Sequence, residues 1–560
     1  MENLIIGIIN TSLFLFLVLI NIFLCFAFGN YFIKKVIPPN SDQQSFNSKD
    51  FNIIVLLGFI IICNLLSFVN FFFKINYLIF ITLIILSLFS LKNYKSILLV
   101  KKNYKIYFYC LITILFFSKI SMISYFASDT GYYHVPTIRI YNDHNTIFGL
   151  ANLFPQYGFN NLNFYYSSMI TGNPFLLRFF AVPTVLFFFI ISLYVFNCRK
   201  EYNNNFIFLI LLGGHFYFNT KYLSSITPDF YVNCLSLIIF SEIYLKTIIK
   251  KDLSEKSFIF ILLLAVAIVT IKLSSIFLST LIILYLFIFY NKKFLFKKFK
   301  KLLFLISIIL IIFFTKNILY SGGLFFPTNV VVFDLLWSVP NEISQYFLSW
   351  IKSFAKNPNL IPEKVLINYD WIYIWLKKTD KIFILSLLAS FLLYLSNIII
   401  NPNQIIFRNK KLNFLICIYL LSIVFWFLNA PDIRFSLMQN IFLFILVVHL
   451  NQIYKSKFNN LISKLSIPAF FIVCIYAFVY LNFINIYLNY QKLEFKHGWR
   501  SIKNYKYNLK RYEEVNGLNF YFIEGYCWFE KTLCTSGGQY FDYKTKVKKF
   551  YKNYIIYLEK

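Results

Sequence analysis

The chain has 560 residues and a mass of 66.8 kDa; 59% of it is hydrophobic, 14% is charged, and the mean hydropathy is +0.66. A soluble protein carries roughly 45–50% apolar and about 25% charged residues, so this balance excludes a soluble enzyme, a disordered chain and a fibrous repeat and points to lipid as the main solvent. The formal charge of +31 would indicate nucleic acid in a soluble protein, but here Lys and Arg fill short segments between apolar runs, where they orient helices in a membrane. Phe (72) and Tyr (42) are abundant together with Ile, Asn and Lys. That reads as compositional bias, so aromatic stripes carry no argument for sugar-stacking platforms.

The first apolar run, Leu4 to Gly29, is too long for the core of a signal peptide and lacks a basic leader and a small-residue cleavage site, so it is expected to stay as a helix. A spanning helix needs ~20 apolar residues. On that ruler spans are predicted near 4–28, 51–73, 75–91, 106–126, 175–196, 206–222, 228–245, 258–271, 273–290, 302–320, 381–400, 412–428, 436–450 and 467–488, about fourteen in all. Basic residues cluster at Lys34–Lys35, 92–105, Arg199–Lys200, 246–256, 292–301, 408–411 and 455–464, and with these spans all of them share one side, the cytoplasm. The expected fold is an all-α polytopic membrane bundle over 1–488, with outer loops at 127–174 and 321–380. A small extracytoplasmic tail follows at 489–560, and the N-terminus is placed outside as well. The cell's inner (cytoplasmic) membrane is the expected location.

Polar residues gather on the outer side. Asp129 follows directly on an apolar run, and an ionisable group at that depth is a functional hypothesis. It is either a general base, a cation ligand or a helix-terminal Asp bonded to its own backbone. Gly131 permits a tight turn just after it, and His134, Arg139, Asp143 and His144 follow on a short helix. Thr227-Pro228-Asp229 reads as an ordinary helix start, with Thr as cap, Pro in the first turn and an acid beside the dipole. Asn429-Ala430-Pro431-Asp432 starts a later helix in the same way. Arg434 opposes the dipole there, so it needs an anionic partner, either Asp432 or a ligand phosphate. Lys272 interrupts an apolar stretch in TIKLSS; it either snorkels or lines a polar cavity at a broken helix. Residues 342–356 read as an amphipathic surface helix.

Of nine cysteines, Cys25, Cys63, Cys110, Cys234, Cys417 and Cys474 lie in apolar runs and read as small core residues. Cys527 and Cys534, seven apart on the expected oxidising side, are predicted to form a disulfide. There is no Cys-x-x-Cys pair, no His-Glu-x-x-His and no zinc-spaced His and Cys cluster. No cofactor is expected, and a divalent metal stays open without support from the motifs.

The acid at a helix end followed by Tyr133, His134 and Pro136 resembles the first outer loop of GT-C superfamily glycosyltransferases, polytopic enzymes that use polyprenyl-phosphate sugars. GLANLFPQYGFNNLNF (149–164) resembles a bacterial family of GT-C-like membrane proteins more specifically. The likeness recurs at SSITPD (224–229), IKLSS (271–275), KNILYSGGLFFP (316–327), LLWSVP (335–340), APDIRF (430–435) and CWFEKTLC (527–534). The sequence departs from that pattern in two places. Asp129 lacks an acidic neighbour, Asp143 being fourteen residues away, and SGG stands where Ser-Gly-Tyr is expected. The first departure weakens a metal site.

The resemblance implies a GT-C-like bundle in which Asp129 accepts the proton of an acceptor hydroxyl during inverting transfer on the outer leaflet. It implies that a cation among Lys272, Arg434 and Arg139 holds the lipid phosphate, with His134, Asp229 and Asp432 also touching substrate. The implied partners are a polyprenyl-phosphate-linked sugar donor, a glycan or lipid acceptor and membrane lipid, and no nucleic acid. Two other readings compete: a transporter, flippase or polymerase-type protein of surface polysaccharide assembly, and a non-catalytic membrane partner.

Overall fold

The computed structural model describes residues 2–36, 48–91, 104–123, 127–199, 201–202, 205–250, 253–289, 296–400 and 410–450, together with short strands between 495 and 558 and residues 526–528. The helices are α1 (Glu2–Val36), α2 (Ser48–Val69), α3 (Tyr77–Leu91), α4 (Tyr104–Ile123), α5 (Val135–Asp143), α6 (Leu162–Thr171), α7 (Val182–Cys198), α8 (Asn205–Asn219) and α9 (Pro228–Ile243). They continue as α10 (Glu255–Ile271), α11 (Ile276–Phe289), α12 (Phe296–Ser321), α13 (Asn341–Lys356), α14 (Pro362–Val365), α15 (Trp371–Lys378), α16 (Lys381–Ile400), α17 (Lys410–Asn429) and α18 (Ile433–Leu450). Helices dominate because lipid offers backbone groups no partner, so each apolar run must satisfy its own.

The expected count of about fourteen spans is not reached. Among the described residues seven helices are long and apolar enough to cross a membrane: Ile5–Lys35, Phe51–Val69, Pro174–Cys198, Pro228–Ile249, Lys300–Ser321, Lys410–Asn429 and Ile433–Leu450. An eighth arises if Trp371–Lys378 and Phe383–Ser396, bent by 108°, form one broken span. The reason is length. An α-helix rises ~1.5 Å per residue, and the runs at Tyr77–Ser90, Cys110–Met122 and Leu273–Phe289 close into shorter helices. The apolar run at 467–488 lies outside the described residues. With this count the parity that fixed sidedness no longer follows. The chain is a multi-pass helical membrane protein; which face is which belongs to the functional proposal.

The expectation of an all-α chain also needs correcting, because the C-terminal region is built of strands. β1 (Phe495–Lys496) pairs with β2 (Trp499–Arg500), and β3 (Asn508–Val515) lies antiparallel to β4 (Leu518–Glu524). β4 carries β5 (Leu533–Ser536) as a parallel neighbour, and β6 (Thr545–Phe550) and β7 (Asn553–Leu558) form a hairpin. Leu518 and Phe520 are buried on one face of β4 and Ile523 on the other.

The segment 127–174, expected as the first outer loop, is not a free loop. All of α6 is buried, and its surroundings satisfy amides one by one. Asn142 donates to the carbonyls of Ile75 (2.9 Å) and Ser168 (2.6 Å), Asn163 to Ile226 (2.9 Å), and Asn160 to Phe313 (3.1 Å). The C-terminal strands sit on this segment. Phe148 N–H donates to Tyr554 O, and Ile556 N–H donates to Phe148 O, both at 2.8 Å.

α1 and α2 approach closely through paired glycines. A Cβ on Gly58 would lie 1.7 Å from Cys25 O, and one on Gly29 would lie 1.9 Å from Ile54 O. Small residues at such crossings let backbones touch and gain dispersion contact. Gly58→Val forces the helices apart and is expected to cost about 1–3 kcal/mol. Gly213→Ala, where a Cβ meets nothing within 4 Å, is the neutral comparison. Thermal unfolding of both variants in detergent checks the pair.

Candidate functional site

Four helix ends converge and each contributes charge. Asp129 precedes the π-helical turn Thr130–His134 that leads into α5. Asp229 lies in the first turn of α9. Lys272 sits in extended backbone (φ −148, ψ 112) between α10 and the short 3-10 turn before α11. Asp432 and Arg434 stand at the start of α18.

Arg434 is the centre. Its Nε and Nη2 donate to Asp432 Oδ2 at 3.1 and 2.9 Å, and its Nη1 donates to Asp129 Oδ2 at 3.0 Å. Asp432 also caps the helix, its Oδ1 accepting from the Arg434 backbone N–H at 3.0 Å. The two alternatives for the partner of Arg434 are thus answered among protein groups by Asp432, with Asp129 added. Lys272 Nζ is joined to Asp229 Oδ1 and lies 3.4 Å from the centroid of the Phe435 ring. Lys272 therefore lines a polar cluster and does not snorkel. Asn233, one turn beyond Asp229, donates to Arg434 O at 3.1 Å and ties the two halves together. The turn carrying Asp432 is held from outside: Trp426 Nε1 donates to Asp432 O (2.7 Å) and Trp375 Nε1 to Pro431 O (2.6 Å).

The roles separate by how firmly each carboxylate is held. Asp432 spends both oxygens on Arg434, and Asp229 is 9% exposed against Lys272. Asp129 takes one bond from Arg434 and its side chain is 30% exposed. It does not bond its own backbone as a cap. Of the three, it is the least tied and the most exposed. Removing Lys272 would leave Asp229 buried without a counter-ion, a change that typically costs about 3–5 kcal/mol.

A pocket opens beside the cluster. Asp229, Lys272 and Arg434 line it together with the aromatic residues Phe277, Phe425 and Trp426. Phe277 and Phe425 stack at 4.4 Å. Asp129, His134, Arg139 and Asp432 do not line it; Arg434 stands between the pocket and Asp129. Among the described residues no group of three or more His, Cys, Asp or Glu side chains is placed to hold a metal ion.

Several expectations need revision here. Arg139 does not join the cluster; it pairs with Asp143 one helical turn on, at 3.2 Å. Thr227 makes no side-chain cap, because its hydroxyl turns to Asp229 Oδ2 at 3.3 Å. Gly131 makes no tight turn and lies within the π-helical turn. Its lack of a Cβ lets the Trp528 ring approach, since a Cβ there would lie 2.3 Å from Cε2. Cys527 and Cys534 are joined as a disulfide. The helix at 342–356 is present as α13, with Ile343, Ser344, Phe347 and Ser353 on its buried side.

Lys316, which opens the KNILYSGGLFFP run at the exit of the 302–320 stretch, has a structural part that the motif did not show. Its fully buried ammonium donates to Asn70 Oδ1 (2.9 Å) and to Thr146 Oγ1, with the Phe71 ring at 4.4 Å. The signal was available: a lysine interrupting the 302–320 run, as Lys272 interrupts its own. The contacts make Lys316 a clamp between α2, the 127–174 segment and α12.

His134 is fully buried between Tyr133 (4.3 Å) and Phe164 (5.1 Å), and neither ring nitrogen has a hydrogen-bond partner among the described residues. Burial pushes its pKa down to about 4, against the pull of Asp129 and Asp229, so at neutral pH it is uncharged.

Fold and site together define a multi-pass helical membrane protein with an ion-paired cluster at converging helix ends beside an aromatic-walled pocket. The chain belongs to the family described as a domain of unknown function (DUF8201), whose model matches residues 12–441. No curated protein and no solved structure matches the chain. All five charged residues of the cluster fall within the matched region; the C-terminal strands lie beyond it.

The His134 environment predicts acid sensitivity. The unfolded chain takes up this proton below about 6.5 and the folded chain only near 4. Stability therefore falls as pH drops through that window, by on the order of 3 kcal/mol. His134→Phe removes that component, and unfolding midpoints between pH 4 and 8 check it.

Proposed function

We propose that the protein is a glycosyltransferase of the GT-C type. On this reading it moves a sugar from a polyprenyl-phosphate donor to a glycan or lipid acceptor on the outer face of the cytoplasmic membrane. The observation that carries the reading is the juxtaposition of Lys272 and Arg434 with an apolar pocket on one side and Asp129 on the other. A lipid phosphate needs cations for its head and apolar walls for its chain, and the pocket supplies both. An acceptor hydroxyl needs a carboxylate on the opposite side of the sugar, and Asp129 is the least encumbered acid of the cluster.

The step follows from that placement. The donor phosphate competes for the Arg434 guanidinium and releases Asp129. The acceptor oxygen attacks the anomeric carbon, and the bond from that carbon to the phosphate oxygen breaks. The electron pair leaves on the lipid phosphate, where Lys272 and Arg434 stabilise the charge. Asp129 takes the acceptor's proton. Asp432 and Asp229 hold the two cations in register, and His134, neutral and buried outside the pocket, adds no charge to the cluster.

A transporter for a lipid-linked glycan is the second reading, favoured by the break at Lys272 between α10 and α11, since broken helices mark substrate sites in transporters. Purified protein in lipid, given polyprenyl-phosphate hexose and pentose donors with a glycan acceptor pool, separates the two. Donor consumption is expected, with Asp129→Asn reducing turnover by about 10²–10⁴-fold and EDTA leaving it unchanged. Undiminished turnover by Asp129→Asn would remove the assigned base. Donor movement across vesicles without consumption would establish the transporter.

A further inference from the structure

The turn that carries Asp129 is held by a part of the chain more than 390 positions away in sequence. Trp528 N–H donates to Gly131 O at 3.1 Å, and its indole lies flat enough on Gly131 that a Cβ there would meet Cε2 at 2.3 Å and Cζ2 at 2.6 Å. Next to it, the Tyr526 ring meets Tyr132 edge-on at 6.2 Å. Trp528 adopts φ 42, the positive-φ non-glycine position among the described residues. Such a conformation is disfavoured for a bulky side chain and persists only where the surroundings impose it.

Those surroundings are visible. Cys527 is bonded to Cys534, both are buried, and the Cys534 carbonyl accepts a hydrogen bond from the Tyr157 hydroxyl. The disulfide thus clamps the Trp528 segment to β5, and Tyr157 clamps β5 to the 127–174 segment. The π-helical turn is the element in need of such support, since i to i+5 geometry is rarely stable by itself and concentrates at functional sites.

We propose that Trp528 is a positioning residue for Asp129, acting through Gly131, and that the Cys527–Cys534 disulfide holds it there. The C-terminal strands then serve the cluster from outside: they set the direction from which the Asp129 carboxylate faces Arg434. Only the kinetic part of this inference rests on reading Asp129 as the base.

The test uses the full chain in lipid nanodiscs. Amide hydrogen–deuterium exchange over residues 129–135 is compared among the native protein, Trp528→Ala, Trp528→Phe and the double variant Cys527→Ser/Cys534→Ser. Trp528→Ala and the double variant are expected to speed exchange there about tenfold or more while leaving the spanning helices unchanged. Trp528→Phe, which keeps a ring on Gly131, restores most of the protection. In turnover assays Trp528→Ala lowers kcat, with donor KM within about twofold of native because the pocket is untouched. Unchanged exchange at 129–135 in Trp528→Ala overturns the proposal. Equal acceleration across the spanning helices overturns it too, since that marks a general folding role. If native protein turns over no donor, the glycosyltransferase reading fails while the exchange result still decides this one.

Discussion

A guanidinium at the first turn of a helix is opposed by the helix dipole, so Arg434 can sit at the start of α18 only with carboxylates around it. That constraint organises the site. Asp432 meets it locally with two side-chain bonds and a cap. Asp129 meets it from 305 residues away, which joins the 127–174 segment to α18. Through Asn233 the same residue fixes α9, and α9 carries Asp229 to Lys272. Four helix ends are therefore positioned by one side chain and its backbone. The cluster holds three carboxylates against two cations, so one cation is shared: Arg434 serves both Asp432 and Asp129.

A second constraint comes from the 127–174 segment. Buried amides are expensive to leave unpaired, and Asn142, Asn160 and Asn163 donate to carbonyls of the stretch before α3, of α12 and of the α8–α9 connection. Lys316 does the same with an ammonium and two neutral oxygens. The C-terminal strands complete the enclosure by adding β7 alongside Phe148. The 127–174 segment is therefore packed among several chain segments and tied to them by individual polar contacts.

How much of this was legible in the sequence differs by kind of signal. Asp129 and Lys272 were readable because an ionisable residue at the end of or inside an apolar run is rare and costly, and Arg434 because it opposes a helix dipole; Asp229 and Asp432 read as ordinary helix starts and joined the site only through the family resemblance. Their mutual pairing was not, because residues 129 and 434 meet only through the packing of the whole bundle. Arg139 misled for a local reason that the sequence did contain: Asp143 stands four positions on, the spacing of neighbours on a helix face. The apolar runs were visible, but their division into spans was not, since hydrophobicity marks burial and does not separate a crossing helix from a shorter one packed inside. Gly131 looked like a turn residue because glycine is common in turns; the indole that needs its missing side chain lies far along the chain. The strands of the tail alternate weakly among basic and aromatic residues and gave no clear period.

The break at Lys272 leaves α10 with 17 residues and α11 with 14, about 25 and 21 Å of helix at ~1.5 Å per residue. A bilayer core is about 30 Å thick. α10 is buried from Ser257 to Ile271, whereas α11 turns Leu284, Phe287 and Ile288 outward. α11 falls short of that core, and lipid beside it adjusts by thinning at a modest energetic cost. On the proposed reading of the pocket, a long-chain lipid arriving along α11 has a shorter climb for its polar end, and membrane thickness itself becomes a variable that sets how readily the pocket fills.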